Sequence, residues 1–235
     1  MRRAIGLFFI VSVFISCSDG IQNNSRISLH ARVVDQTQQP LPNIDIIVGG
    51  NDQDGFTPPN RFFYSGDDSI FDETLGYNVT NANGEAALIS LRPSKSVTLG
   101  VVVNPEEAEN EWSTSIVRFD SIPEDLIIIP QITLTQRANL SIEFDRDAAS
   151  QDTLYYQVRY NPDVQYVIFP EVNTLDERIV SGRQTIEDTE TSVEINTLFN
   201  STAILSYRLV NGNQVIREQV EIPITQTNQV YAISY

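Results

Sequence analysis

Apolar and polar residues alternate with a period of two along most of this chain, and no segment sustains a helical period. Ile27-Ser28-Leu29-His30-Ala31-Arg32-Val33 is the pattern at its plainest. Successive side chains of a strand point to opposite faces, so this segment predicts a strand with one face in a core and the other in water. Similar runs, punctuated by Pro, Gly, Asn and Asp, predict strands at 27–34, 43–48, 77–80, 85–91, 96–103, 112–119 and 126–135. A second series follows at 138–144, 153–160, 164–169, 177–185, 191–196, 203–210, 213–222 and 229–235. Many short strands joined by turns predict an all-β chain of tandem sandwiches rather than a parallel α/β sheet. Glu106-Glu107-Ala108-Glu109 offers at most one helical turn.

The punctuation carries chemistry of its own. Asn83-Gly84 and Asn211-Gly212 each separate two strand patterns, and both residue types accept the positive φ that tight hairpins require. Pro40 and Pro42 flank Leu41, which fixes an extended connection. One apolar strand ends and another begins near Arg137 with little linker, so the chain divides there into residues 26–136 and 137–235. In the second part Leu154, Tyr156, Val158 and Tyr160 fall on one face of their strand, a core pattern, and Tyr155 and Tyr166 receive no functional role. Trp112 heads a strand and is read as core.

The N-terminus follows a different logic. Met1-Arg2-Arg3 precedes an apolar stretch from Ala4 to Ile15, and Ser16 stands before Cys17. A basic start, a short apolar run and a small residue describe a secretory signal peptide over 1–16. The run is shorter than the roughly 20 residues that span a bilayer. Phe14-Ile15-Ser16-Cys17 resembles a bacterial lipobox, with Phe14 where that motif usually has Leu. The resemblance implies lipidation of Cys17, a polar tether over 17–25 and attachment to the membrane through the lipid. Cys17 is the single cysteine, so it has no intrachain disulfide partner, and lipidation accounts for it. Ser18 followed by Asp19 resembles outer-membrane lipoproteins of the Bacteroidetes type, which implies a periplasmic or cell-surface position. Asp68-Ser69-Ile70, Asp120-Ser121-Ile122 and Asp152-Thr153-Leu154 resemble the O-glycosylation sites of exported proteins of that group.

A second resemblance lies in the first half. Ala31-Arg32-Val33-Val34-Asp35 through Gln39-Pro40-Leu41-Pro42-Asn43 and on to Val48 resembles the opening of a carboxypeptidase-regulatory-like domain, and Asn78-Val79-Thr80 through Asn83-Gly84 resembles its later turn. Bacterial Ig-like domains share both features. Either resemblance implies an Ig-like or transthyretin-like sandwich over about residues 26–136, without an active site. Residues from 137 onward match neither pattern, and their strand count suits a further sandwich of fibronectin-III or Ig-like type.

Composition narrows the function. The formal charge is −16, with 31 acidic against 15 basic residues, which argues against nucleic acid and anionic lipid as partners. His30 is the one histidine, and it sits in a strand. No nucleophile elbow, zinc helix, phosphate loop or dinucleotide fingerprint occurs, and no cofactor is implied. A zinc site of several His or Cys ligands cannot be assembled. Asp52, Asp54, Asp67, Asp68, Asp72 and Glu73 could ligate calcium, but their spacing is not that of a calcium loop, and they are read as solvated carboxylates. The long segment from Gly49 to Gly76 interrupts the first fold, and Arg61-Phe62-Phe63-Tyr64 within it is the candidate for partner binding, set against a role as a core plug. The expectation is a non-catalytic envelope module that binds a glycan or an envelope protein. A carboxylate-dependent glycosidase and a structural spacer are the rivals; two acids converging in a deep cleft would mark the former.

Overall fold

A computed structural model describes residues 21–52, 73–93, 97–105, 110–119, 125–129, 131–169, 177–188 and 192–235. Among these the chain is all-β. The first strands are β1 (Ile21–Val34), β2 (Asp45–Asp52), β3 (Glu73–Val79), β4 (Glu85–Pro93), β5 (Val97–Val103), β6 (Thr114–Phe119), β7 (Leu126–Ile128) and β8 (Ile132–Thr133). They are followed by β9 (Arg137–Asp145), β10 (Thr153–Tyr160), β11 (Val164–Phe169), β12 (Arg178–Gln184), β13 (Ser192–Leu198), β14 (Thr202–Asn211), β15 (Gln214–Pro223) and β16 (Asn228–Ser234).

The strands form two sandwiches with the same pairing. In the first, a sheet ordered β4-β1-β7 faces one ordered β6-β5-β2-β3. In the second, β13-β9-β16 faces β15-β14-β10-β12. Strand senses also agree. The central strand of each smaller sheet, β1 or β9, pairs antiparallel with β4 or β13 and parallel with β7 or β16. In both larger sheets every one of these pairs is antiparallel. The alternating positions supply a separate core to each unit. Ile27, Leu29 and Val33 of β1 meet Ile46, Val48, Leu99, Val101 and Val117 from the facing sheet. Leu140, Ile142 and Phe144 of β9 meet Leu154, Val158, Leu205 and Ile222. Phe144 and Tyr156 bridge the second pair of sheets with ring centroids 4.6 Å apart.

One strand breaks the equivalence. β11 lies in sequence between β10 and β12 but pairs in parallel with β6, along the outer edge of the first unit's larger sheet. Its Val164 packs with Val102 and Ile116 on that sheet's outer face. Backbone bridges from Trp112 to Gln136 and from Pro162 to Thr197 flank the same junction.

Several expectations change in detail. The strand expected over 126–135 is two short ones, β7 and β8, both parallel to β1, with Pro130 between them in sequence. β1 starts at Ile21, inside the stretch read as a tether, because Ile21 pairs with Pro93 across a register shift. The segment from Gly49 to Gly76 is shorter as a connection than its sequence implies: β2 runs on to Asp52 and β3 starts at Glu73, past a bulge at Val48 and Gly49. Asn83-Gly84 does not close a hairpin within one sheet; it carries the chain from β3 in one sheet to β4 in the other. Gly84 has φ +70° and accepts no side chain, since a Cβ would stand 2.3 Å from the Val33 carbonyl oxygen. Gly212 does close a hairpin. It is the first of two central residues between paired Asn211 and Gln214, with φ +57°, as a primed turn requires.

Candidate functional site

The register of β12, β10, β14 and β15 sorts their residues into cross-strand rows. Leu154, Val158 and Leu205 point into the core, so residues of the opposite parity form the outer face. One outer row is Arg183, Tyr155, Arg208 and Arg217, taken across β12, β10, β14 and β15. The next is Ser181, Gln157, Ser206 and Gln219. The two rows, with Gly182, Tyr156, Tyr207 and Glu218 between them, line a depression of about 890 Å³.

The electrostatics of the first row are unusual for so acidic a chain. Arg208 and Arg217 are direct cross-strand partners, and like charges placed so are destabilising. No carboxylate of the described residues forms an ion pair with Arg183, Arg208 or Arg217. Arg183 lies close enough to Asp188 to contribute to its lowered pKa, but that carboxylate is held chiefly by the backbone and hydroxyl of Thr185. The Arg208 guanidinium stacks on the Tyr155 ring, 4.3 Å from its centroid, which orients the charge without neutralising it.

The row between these two is turned to the underside of the sheet. Gly182, Tyr156, Tyr207 and Glu218 form the corresponding inner row. Gly182 leaves space for the Tyr156 hydroxyl, which would stand 2.3 Å from any Cβ there. The Tyr207 hydroxyl donates to Glu218 Oε2. Burial, followed by the hydrogen bond and charge of Glu218, pushes the Tyr207 phenol up to about 12. Glu218 is the one acid along the depression, and it is engaged from the other side.

A second depression, of about 770 Å³, lies at the junction of the units and includes Glu111, Arg137, Asp163, Arg178 and Glu194. Arg137 Nε stands 3.6 Å from Asp163 Oδ2, and its Nη2 donates to Thr114 Oγ1. Burial raises the Asp163 pKa, opposed by Arg137, a backbone hydrogen bond and Arg178; no carboxylate is among the causes. Asp163 thus faces Arg137, 3.6 Å away, with Arg178 also lowering its pKa. This cluster is a latch: the Asp163 carbonyl also accepts the Thr114 N–H at 2.9 Å, tying the start of β11 to β6.

Cys17 and the aromatic run Arg61, Phe62, Phe63 and Tyr64 lie outside the described residues, as do Asp54, Asp67, Asp68 and Asp72. Of the three glycosylation-like motifs, Asp152-Thr153-Leu154 falls within them, at the start of β10. By sequence alone Tyr155 has no functional role, and Arg183, Arg208 and Arg217 are not singled out. Their signal was parity: each stands at an outward position of an alternating strand, but only the pairing register brings them into one row.

No family model matches this chain, and no curated protein does. Among solved structures it is similar to the Bacillus anthracis TIE protein, at 14% identity and TM-score 0.30, over 90% of this chain and 34% of that one. The chain thus spans about a third of that protein's length. It is similar to the shaft pilin SpaA of Lactobacillus rhamnosus GG at 9% identity and TM-score 0.30, over 89% of this chain and 97% of that one. It is similar to 3-chlorocatechol 1,2-dioxygenase of Rhodococcus opacus 1CP at 14% identity and TM-score 0.30, over 49% and 62% of the two chains. Overlaps of this quality bear on neither chemistry nor partners, so the functional argument rests on the surface itself.

Proposed function

We propose that the protein is a non-catalytic binding module of the bacterial envelope, held through a lipid on Cys17. In this reading it takes its partner on the outer face of the sheet ordered β12-β10-β14-β15. The observation that carries it is that face: a depression uncovered by any described element and lined by three arginines with no ion-pair partner among the described residues. The first unit, of Ig-like or carboxypeptidase-regulatory-like character, serves as the stand that raises this face from the membrane. The latch at Arg137 and Asp163 keeps stand and platform in register.

A steric block tests the reading without touching charge. Ser206 lies in the middle of the polar row, and Ser206→Trp fills the depression. Binding of the unlipidated Cys17→Ser chain to isolated envelope material should fall sharply when Ser206→Trp is added, with no soluble fragments released by either protein. Unchanged retention would move the site elsewhere, and fragment release would make the protein an enzyme. In a separate fractionation at high salt, Cys17→Ser alone should transfer the chain from the membrane fraction to the soluble one.

A further inference from the structure

We infer that the ligand of this face is an anionic polysaccharide, a chain of sugars bearing carboxylate or sulfate groups, laid across the strands along the row of Arg183, Tyr155, Arg208 and Arg217. This rests on the proposed binding role and names the ligand class. Three observations lead to it.

The first is a like-charge contact that no described carboxylate relieves. Arg208 and Arg217 are placed directly opposite each other, in a protein with 31 acidic side chains available for one of those positions. An Arg–Glu pair there would stabilise the hairpin; an Arg–Arg pair opposes it. An anion bridging the two guanidiniums removes the conflict. Guanidinium groups take carboxylate and sulfate in the same two-pronged geometry.

The second is spacing. Neighbouring strands lie about 4.8 Å apart, so the row from β12 to β15 extends over about 15 Å. A linear polymer crossing the strands meets all three arginines in succession, whereas a small anion engages one or two. The stack of Arg208 on Tyr155 fixes the central charge in advance.

The third distinguishes sugar from polypeptide. Beside the arginines runs Ser181, Gln157, Ser206 and Gln219, hydroxyls and amides that both donate and accept. That complements a polyhydroxylated chain. Protein partners are usually anchored by apolar or aromatic side chains in desolvated pockets. Within the two rows the one aromatic ring, that of Tyr155, is already covered by Arg208, and the exposed apolar residues of this face, Ile179 and Val215, stand outside them.

The test titrates the full chain with polygalacturonate and dextran sulfate, against neutral dextran and poly-glutamate as comparators. The anionic glycans should bind, dextran should not, and affinity should fall steeply as salt rises above about 0.1 M. Arg208→Gln and Arg217→Gln should each weaken binding about tenfold or more. Arg217→Gln should also leave the melting temperature unchanged or higher, which a merely structural arginine would not. Binding to poly-glutamate alone, through the same arginines, would overturn the glycan and point to an acidic protein. Envelope retention that Ser206→Trp abolishes but the Arg→Gln variants do not would overturn the anionic ligand while leaving the binding face standing. If no probe binds the folded chain and the Cys17→Ser chain binds envelope material equally with and without Ser206→Trp, both readings fail.

Discussion

The two halves of this molecule are built on one pairing scheme and dress its larger sheet in opposite ways. In the first unit the outer face of that sheet carries Tyr166, Ile116, Val102, Ile47 and Tyr77 in one row, with Val102 and Ile116 buried. In the second, a row on the corresponding face carries Arg183, Tyr155, Arg208 and Arg217. The edges differ too. β11 covers the edge of β6, while β15, the counterpart of β6, has no strand beside it among the described residues. The difference teaches a division of labour: the larger sheet of the first unit takes in β11 and so joins the halves, whereas no described element covers that face of the second.

Cutting the chain attacks this comparison hardest. Residues 26–136 contain every strand of the first sandwich, β1 from Arg26 onward, but lose β11. We expect the fragment to fold, with a stability lower by on the order of 3–6 kcal/mol, because the edge of β6 and the side chains under Val164 become exposed. A peptide spanning 161–169 should restore part of the loss, read as a rise in melting temperature. An unfolded fragment would contradict the division near Arg137, and a fragment as stable as the whole would make β11 an ornament.

The two glycine turns sharpen the contrast at single residues. Gly84→Ala must place a methyl group against the Val33 carbonyl at a positive φ; we expect a loss of about 3 kcal/mol or more. Gly212→Ala bears the same φ penalty with nothing within 4 Å, so about 1 kcal/mol should suffice. Equal losses in thermal or urea unfolding would mean that Gly84 is not a close contact between sheets.

The smallest effect is one of pH. The Tyr207 phenol is raised from 10.0 to about 12 in the folded chain. A group raised on folding contributes stability that is full below its unfolded value and lost as pH climbs through the folded one. Between pH 10 and about 12 the wild-type chain should therefore lose stability faster than Tyr207→Phe. Parallel alkaline melts would remove the underside bond to Glu218 from the account.

The sequence made the strands legible because burial of one face leaves a period of two, as at Leu154, Val158 and Tyr160, all buried in the structure. Gly212 was legible because a two-residue turn has narrow residue requirements. Gly84 was only half so: Asn-Gly announces positive φ but not whether the chain returns to the same sheet. The common pairing scheme was hidden, since the two halves realise it with different residues. The crossing of β11 was hidden for another reason. Val164-Gln165-Tyr166-Val167 alternates like any strand, and nothing local says which edge it will join. The arginine row lay beyond reach because it is assembled from three strands, at 183, 208 and 217, by register alone.

The measurement that tests the central claim most directly is the salt-dependent binding of polygalacturonate or dextran sulfate to the wild-type chain, set beside Arg208→Gln/Arg217→Gln and a control in the first unit, Tyr77→Ala, on the equivalent face. The account predicts that the double arginine variant loses nearly all binding with its melting temperature intact, while Tyr77→Ala binds as the wild type does. Equal binding by all three proteins, or a loss in Tyr77→Ala alone, would contradict it.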